Sequence, residues 1–310
     1  MPARWGALGV AAVVLVAVVA AVAGAVGPRA SAPSTAVAAI VAPTDAVTLP
    51  AGSGAGEAAT GIPAPAQTSV ATASCDTPAV AAAIGGGTDA DVIAAFGGAA
   101  AFRAAVAGGA APCVNLSDAR HLWVVVDKQR PLDPIDFEPS VVVAPADMQR
   151  TVDGRLVPDA ANALTTLVAT AEAEGVGAIG LNSAYRSFDS QTRTYNGYVS
   201  SLGRDAADLQ SARPGYSEHQ TGLATDVAAC DGGCGEIEAF GGTAQGAWTA
   251  ANAWRFGFIV RYENGYTDIT GYQAEPWHLR YIGTDLARLY HEGGYHTLEE
   301  FFGLPAAPGY

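Results

Sequence analysis

Basic side chains are scarce in this 310-residue chain: 16 Lys and Arg stand against 30 Asp and Glu, a formal net charge of −14. A nucleic-acid partner needs a basic face to neutralise phosphates, so DNA and RNA are excluded as the main ligand. Histidine is rarer still, five in all, so each can be weighed singly. Aromatic residues are missing between Gly27 and Ala73, where Ala, Pro, Ser, Thr and Gly dominate. Such a stretch cannot bury enough apolar surface to offset its ordering entropy, and residues 27–73 read as a flexible linker.

Charge is absent from "GALGVAAVVLVAVVAAVAGAV", Gly6 to Val26, which follows Arg4. The run is close to the roughly 20 residues a membrane-spanning helix needs, and longer than the ~7–15 of a signal-peptide core. It has no polar face, which argues against a buried helix of a soluble domain. Residues 1–26 are therefore expected to be a signal anchor, or a signal peptide cleaved near the small residues Ala21, Ala23 and Ala25. Either delivers the remainder outside the cytoplasm, anchored to the cell membrane or secreted. Cysteine is limited to four, an even number that in an exported chain reads as disulfides. Cys230 and Cys234 are close enough to staple one loop, and Cys75–Cys113 then closes a larger one. The alternative, Cys230 and Cys234 binding a metal, is disfavoured by an oxidising compartment.

What remains is organised. Residues 74–118 read as short alanine-rich helices broken by glycine, a small Cys-stapled helical segment with Thr88 and Asp89 placed to cap one helix and no visible chemistry. "LWVVVD" (Leu122–Asp127) and "SVVVAP" (Ser140–Pro145) are β-rich and expected as strands. Ala160, Ala163, Leu164, Leu167, Val168 and Ala171 repeat with helical spacing between Pro158 and Gly175. "AIGLNSAYRS" reads as a strand running into a loop, and Ser187 as the cap of a helix presenting Phe188, Gln191, Thr192, Tyr195 and Val199 on one side. "LATDVA", "FGFIVRY" and "PWHLRYI" are further strands. Helices are expected from Thr243 to Arg255, over "GTDLARLYHEGG", and at "TLEE", where Thr297 and Glu300 have capping-box spacing. Helices and strands alternate without regular βαβ repetition, so the class is α+β, a small mostly antiparallel sheet with packed helices.

The unusual polar residues fall in "SAYRSFDSQ" (Ser183–Gln191), "SEHQTGLATD" (Ser217–Asp226) and "AEPWHLRYIG" (Ala274–Gly283). A turn at Gly222 brings His219 back toward a strand bearing Asp226, and an imidazole and a carboxylate on adjoining segments can share a metal. His278, on another strand, completes a set of three. Glu275 precedes it by three positions, which on a straight strand means opposite faces; Pro276 breaks that regularity, so Glu275 can reach the same side without being a ligand. That is the place of a general base acting on activated water. Three protein ligands leave a coordination position open, as in catalytic rather than structural zinc sites. Arg186, just after a strand, suits a substrate carboxylate or a developing oxyanion, unless it is only a surface partner of Asp189.

These segments, with "LWVVVDKQRPL" and "AWRFGFIVRY", resemble the motifs of the VanY-type zinc D-alanyl-D-alanine carboxypeptidases, in order, over about His121 to Gly283. That family belongs to a wider zinc peptidase group with the D-Ala-D-Ala dipeptidases and the hedgehog fold. The resemblance implies a hedgehog/DD-peptidase-like zinc carboxypeptidase domain over residues 119–304, with His219, Asp226 and His278 as ligands of Zn2+. It implies Glu275 as catalytic base, Arg186 on the substrate or oxyanion, and Gln191 and Ser217 lining the substrate pocket. The expected function is removal of the terminal D-Ala from peptidoglycan stem peptides. A peptidoglycan endopeptidase, an L,D-carboxypeptidase and a non-catalytic zinc-bearing module are the alternatives, and Glu275 argues against the last. Thr225 stands where the family has an aliphatic residue, and "CDGGC" has no family assignment. His121, His291 and His296 read as surface or packing residues, and Trp248, Trp254, Phe256 and Phe258 as core. Tyr262, Tyr266 and Tyr272 flank a polar loop that can border the cleft.

Overall fold

The computed structural model describes residues 74–310. The anchor expected over residues 1–26 and the linker over 27–73 lie outside the described residues. Among the described residues no single helix is long and apolar enough to cross a membrane.

The chain opens with three short helices, α1 (Pro78–Gly86), α2 (Asp89–Ala95) and α3 (Ala99–Ala107). Thr88 caps α2 reciprocally with Asp91, which satisfies amides that the first turn leaves without partners. The Cys75–Cys113 disulfide ties the two ends of this segment together. Its Val80, Val92, Phe96 and Phe102 share one core with Trp123, Ile259, Leu286, Tyr290 and Phe301 from the rest of the chain.

Four strands follow: β1 (Ile179–Ser183), β2 (Ala224–Ala229), β3 (Phe258–Tyr262) and β4 (Glu275–Tyr281), all paired antiparallel in the order β1-β2-β4-β3. Helix α4 (Pro158–Ala173) lays Leu164, Leu167 and Val168 on the sheet residues Ile179, Leu181, Val227 and Leu279. Helices α5 (Phe188–Leu202) and α6 (Arg204–Gln210) lie between β1 and β2, α7 (Ala244–Asn252) between β2 and β3, and α8 (Thr267–Thr270) between β3 and β4. Two more, α9 (Thr284–Glu292) and α10 (Leu298–Phe302), close the chain. Ser187 caps α5 through its hydroxyl. At α10 the Thr297 hydroxyl accepts from the Glu300 amide, but the Glu300 carboxylate takes the His296 amide, so the capping box is half formed. The class is α+β, with a small antiparallel sheet.

Two expected strands are not strands. Leu122 and Trp123 lie in a turn, and Val124–Val126 run without a strand partner to one isolated bridge, Asp127 to Arg130. The side chains alternate between two cores, Trp123 and Val125 into one, Val124 and Val126 into the other. The carbonyls of Leu122 and Val124 that a neighbouring strand would take are bonded by the Arg280 guanidinium. In Ser140–Pro145 only Val143 pairs, with Leu156, while Val141 stays exposed. The helix expected over Thr243–Arg255 ends at Asn252 and continues as a 3-10 turn, Ala253–Phe256.

Candidate metal centre

Sheet register builds the site. Asp226 on β2 and His278 on β4 are direct antiparallel partners, which puts their side chains side by side on one face. His219 sits on a 3-10 turn, Glu218–Thr221, ended by Gly222 at φ +72. That left-handed conformation strains any other residue, and a Cβ there would also press Val157. The turn delivers the His219 ring edge-on to the His278 ring, 5.0 Å between centroids. His219 Nε2 lies 3.3 Å from Asp226 Oδ2, and His278 Nδ1 3.0 Å from Asp226 Oδ1. One donor atom from each of the three falls within 4.8 Å of the others, and all three residues are buried.

The far nitrogens decide what the near ones can do. His219 Nδ1 donates to the Ala184 carbonyl at 2.8 Å, so its Nε2 carries a lone pair. His278 Nε2 donates to the Glu218 carboxylate at 3.2 Å, leaving Nδ1 to face Asp226. Burial opposes ionisation of Asp226, but the two imidazoles beside it hold its carboxyl well below the usual range. Glu218 is likewise buried yet held low by Arg280 and Arg261. Burial lowers His219, while for His278 burial is outweighed by Asp226 and Glu218, which push it up to about 10. Two ring nitrogens and an anionic carboxylate thus converge, and the His278 nitrogen holds toward Asp226 a proton that a metal ion would displace. A proton relieves the repulsion for one imidazole; a divalent cation relieves it for all three groups. Two imidazoles and one carboxylate, each oriented by a hydrogen bond on its far side, are a donor set that fits such an ion.

The site opens on a cleft of about 320 Å³, lined by Arg186, Gln191, Ser217, Tyr262, Glu275 and Trp277 among others. Glu275 reaches it because β4 spends four steps, Glu275 to Leu279, where β3 spends two, Tyr262 to Val260; the excess falls around Pro276. Its Oε2 lies 3.8 Å from His278 Nδ1, and burial pushes its carboxyl up to about 7. Arg186 does not pair with Asp189. Its guanidinium donates to Gln191 Oε1 at 2.9 Å and Ser183 Oγ at 3.0 Å, and no carboxylate pairs with it among the described residues. Gln191 in turn donates to Ser211 Oγ and the Ala212 carbonyl, so it holds Arg186 in place while lining the cleft. Ser217 is buried at the cleft wall.

Tyr262 and Tyr272 line the cleft; Tyr266 instead stacks on His296. His121 stacks on Trp123 and bonds Asp89, His291 stacks on Trp254, and His296 pairs with Glu263, all away from the site. Phe258 is buried, while Trp248, Trp254 and Phe256 are half-buried against the cores. Cys230 and Cys234 form a disulfide immediately after β2, and a Cβ on Gly180 of β1 would collide with the Cys230 sulfur. Beyond that loop Ile237 and Glu238 form part of the cleft rim. Sequence reasoning missed a connected network of buried charges, Glu218, Arg261, Arg280 and Glu299. The sign was there: arginines inside the apolar strands "FGFIVRY" and "PWHLRYI", the second two residues from His278 and so on its face.

A buried metal-ligand triad, a neighbouring carboxylate and an arginine in one cleft of a small antiparallel sheet define the class, that of the metallopeptidases. Residues 153–284 match the family described as VanY, D-alanyl-D-alanine carboxypeptidase. YodJ of Bacillus subtilis strain 168, a candidate carboxypeptidase by name, is 39% identical over 191 residues, 60% of this chain and 69% of YodJ. The D-alanyl-D-alanine carboxypeptidase of Enterococcus faecium is 36% identical over 127 residues, 41% of this chain; the chain spans only 37% of that relative's length. Among solved structures, the LdcB LD-carboxypeptidase, described for its peptidoglycan recognition, superposes with a TM-score of 0.55 at 40% identity, covering 59% of this chain and 86% of that one. The chain belongs to the VanY family of metallopeptidases.

Proposed function

We propose that this chain is a zinc-dependent D-alanyl-D-alanine carboxypeptidase that removes the terminal D-Ala from peptidoglycan stem peptides. The observation that carries the reading is the convergence of His219, Asp226 and His278 at the base of a cleft that also holds Glu275 and an Arg186 free of any carboxylate partner among the described residues. Two imidazoles and one carboxylate suit Zn2+, with a position left open for substrate or water. When bound, the ion supplies Lewis-acid polarisation of the scissile carbonyl and acidifies water. Glu275 receives the water's proton on its carboxylate and returns it to the leaving amine nitrogen. Arg186, held by Gln191 and Ser183, offers its fork of N–H donors to the terminal carboxylate or the oxyanion. Ser217 lines the pocket wall beside them. The anchor and linker read from residues 1–73 keep this unit outside the cytoplasm, at the membrane, near where stem peptides are completed.

A second reading, an L,D-carboxypeptidase, is supported by the likeness to LdcB at 40% identity. Mass spectrometry of pentapeptide and tetrapeptide stems, with and without chelator, tests both. Loss of one D-Ala from the pentapeptide, blocked by chelator, is the expected result. Release from the tetrapeptide alone decides for the second reading, and chelator-resistant release sinks both.

A further inference from the structure

Behind the three candidate ligands lies a buried ion network. Glu218, Glu299, Arg261 and Arg280 are all fully buried, two negative charges against two positive. Glu299 on α10 gives both oxygens to Arg261 of β3, at 3.0 and 2.7 Å. Glu218 divides its two. Oε1 accepts from Arg261 Nε and from Arg280 Nη1, each at 2.9 Å; Oε2 accepts from His278 Nε2. Arg280 spends Nη2 on the Leu122 and Val124 carbonyls and Nε on the Tyr281 carbonyl.

Stability does not explain this arrangement, because desolvating buried ion pairs costs about as much as their attraction returns and apolar residues of equal volume serve as well. Its direction does. Two guanidiniums occupy Oε1 and hold the carboxylate in one rotation, so Oε2 is left for the imidazole alone. An N–H donated to an anionic oxygen fixes the tautomer and raises the basicity of the opposite nitrogen. Glu218 also directly precedes His219, so one 3-10 turn supplies one candidate ligand and steadies the other.

We propose that Glu218 is the positioning residue of the metal centre: it orients His278 and strengthens its Nδ1 as a donor, with Arg261 and Arg280 locking Glu218 from behind. The metal-binding part rests only on the His219–Asp226–His278 set and not on the identity of the substrate.

The test is Zn2+ affinity of the chain carrying Glu218→Gln, measured by competition with a chromophoric chelator, beside Glu299→Gln. Each variant removes one buried negative charge bonded to Arg261, but only the first touches His278. Loss of an outer-shell partner of this kind weakens metal binding by about 10–100-fold. Glu218→Gln is expected to fall in that range, and Glu299→Gln to hold Zn2+ within about twofold of the parent even where its thermal midpoint drops as far. Parental affinity in Glu218→Gln, or equal weakening in both, overturns the proposal. Should Glu218→Gln not fold, 15N-histidine NMR of the parent chain loaded with Zn2+ decides. His278 is expected to be ligated through Nδ1 with its proton on Nε2, and ligation through Nε2 removes Glu218 from the role. These readouts stand whether or not D-Ala is ever released.

Discussion

Arg186 earns its place in the cleft through a neutral residue. Gln191 is buried, accepts from the guanidinium with its oxygen and anchors its own amide to Ser211 and Ala212. Gln191→Leu keeps the bulk and removes the acceptor, leaving Arg186 without its orienting contact. Losing a hydrogen bond to a charged group costs about 1.5–3 kcal/mol, which for substrate binding is on the order of tenfold or more in KM. Steady-state kinetics on a pentapeptide stem should show KM rising more than kcat falls. An unchanged KM would place the substrate carboxylate elsewhere. Glu275→Gln makes the opposite split: Zn2+ content stays, while D-Ala release drops by roughly 10²–10⁴-fold, the usual weight of a general base. Zinc quantification alongside turnover checks both halves. These residues were legible because their chemistry is unusual in an alanine-rich chain. Glu218 was not, since an acid before a histidine has no pattern of its own until the fold sets Arg261 and Arg280 around it.

Elements were legible where pattern and caps agreed. The Pro158 helix, the Ser187 cap and the strands bearing Asp226 and His278 all stand where periodicity and capping place them. "LWVVVD" failed as a strand because β-propensity reports a half-buried extended fit, not a pairing partner, and here a distant guanidinium takes the carbonyls. The same segment is pinned at its start by α2. Asp89 accepts from the Leu122 amide and from His121 Nδ1 at 2.6 Å, and that bond raises the His121 pKa above 6.5. A folded pKa above the unfolded one means the bond's stabilisation is complete below about pH 6.5 and is lost as pH rises through the folded value. For a partly exposed pair the amount is roughly 1 kcal/mol or less. Thermal melts of parent and Asp89→Asn should therefore differ most at pH 5.5–6, and the gap should narrow as pH rises. A gap that widens with pH means another group controls this contact.

At the scale of the whole molecule, the first helices, the strip at 122–126 and the last helices converge on one sheet, and four buried charges form one network behind the site. The α+β class could be read from element order. The sharing of one core by residues 74–118 and α9–α10 could not, because packing between remote segments leaves no periodicity in either. This arrangement makes stability depend on the ion. Without it, the desolvation of the buried Asp226 anion is offset only by the two imidazoles beside it. An ion that binds only the folded chain stabilises it by mass action, about 2.7 kcal/mol at a free concentration of about 100 Kd. At about 2–4 °C per kcal/mol for a unit of this size, Zn2+ should raise the thermal midpoint by roughly 5–10 °C over the chelator-treated chain. His278→Ala should melt at one temperature in zinc and in chelator, because its ligand set is broken. If the variant keeps the zinc-dependent shift, or the parent lacks it, the ion sits somewhere other than between β2 and β4.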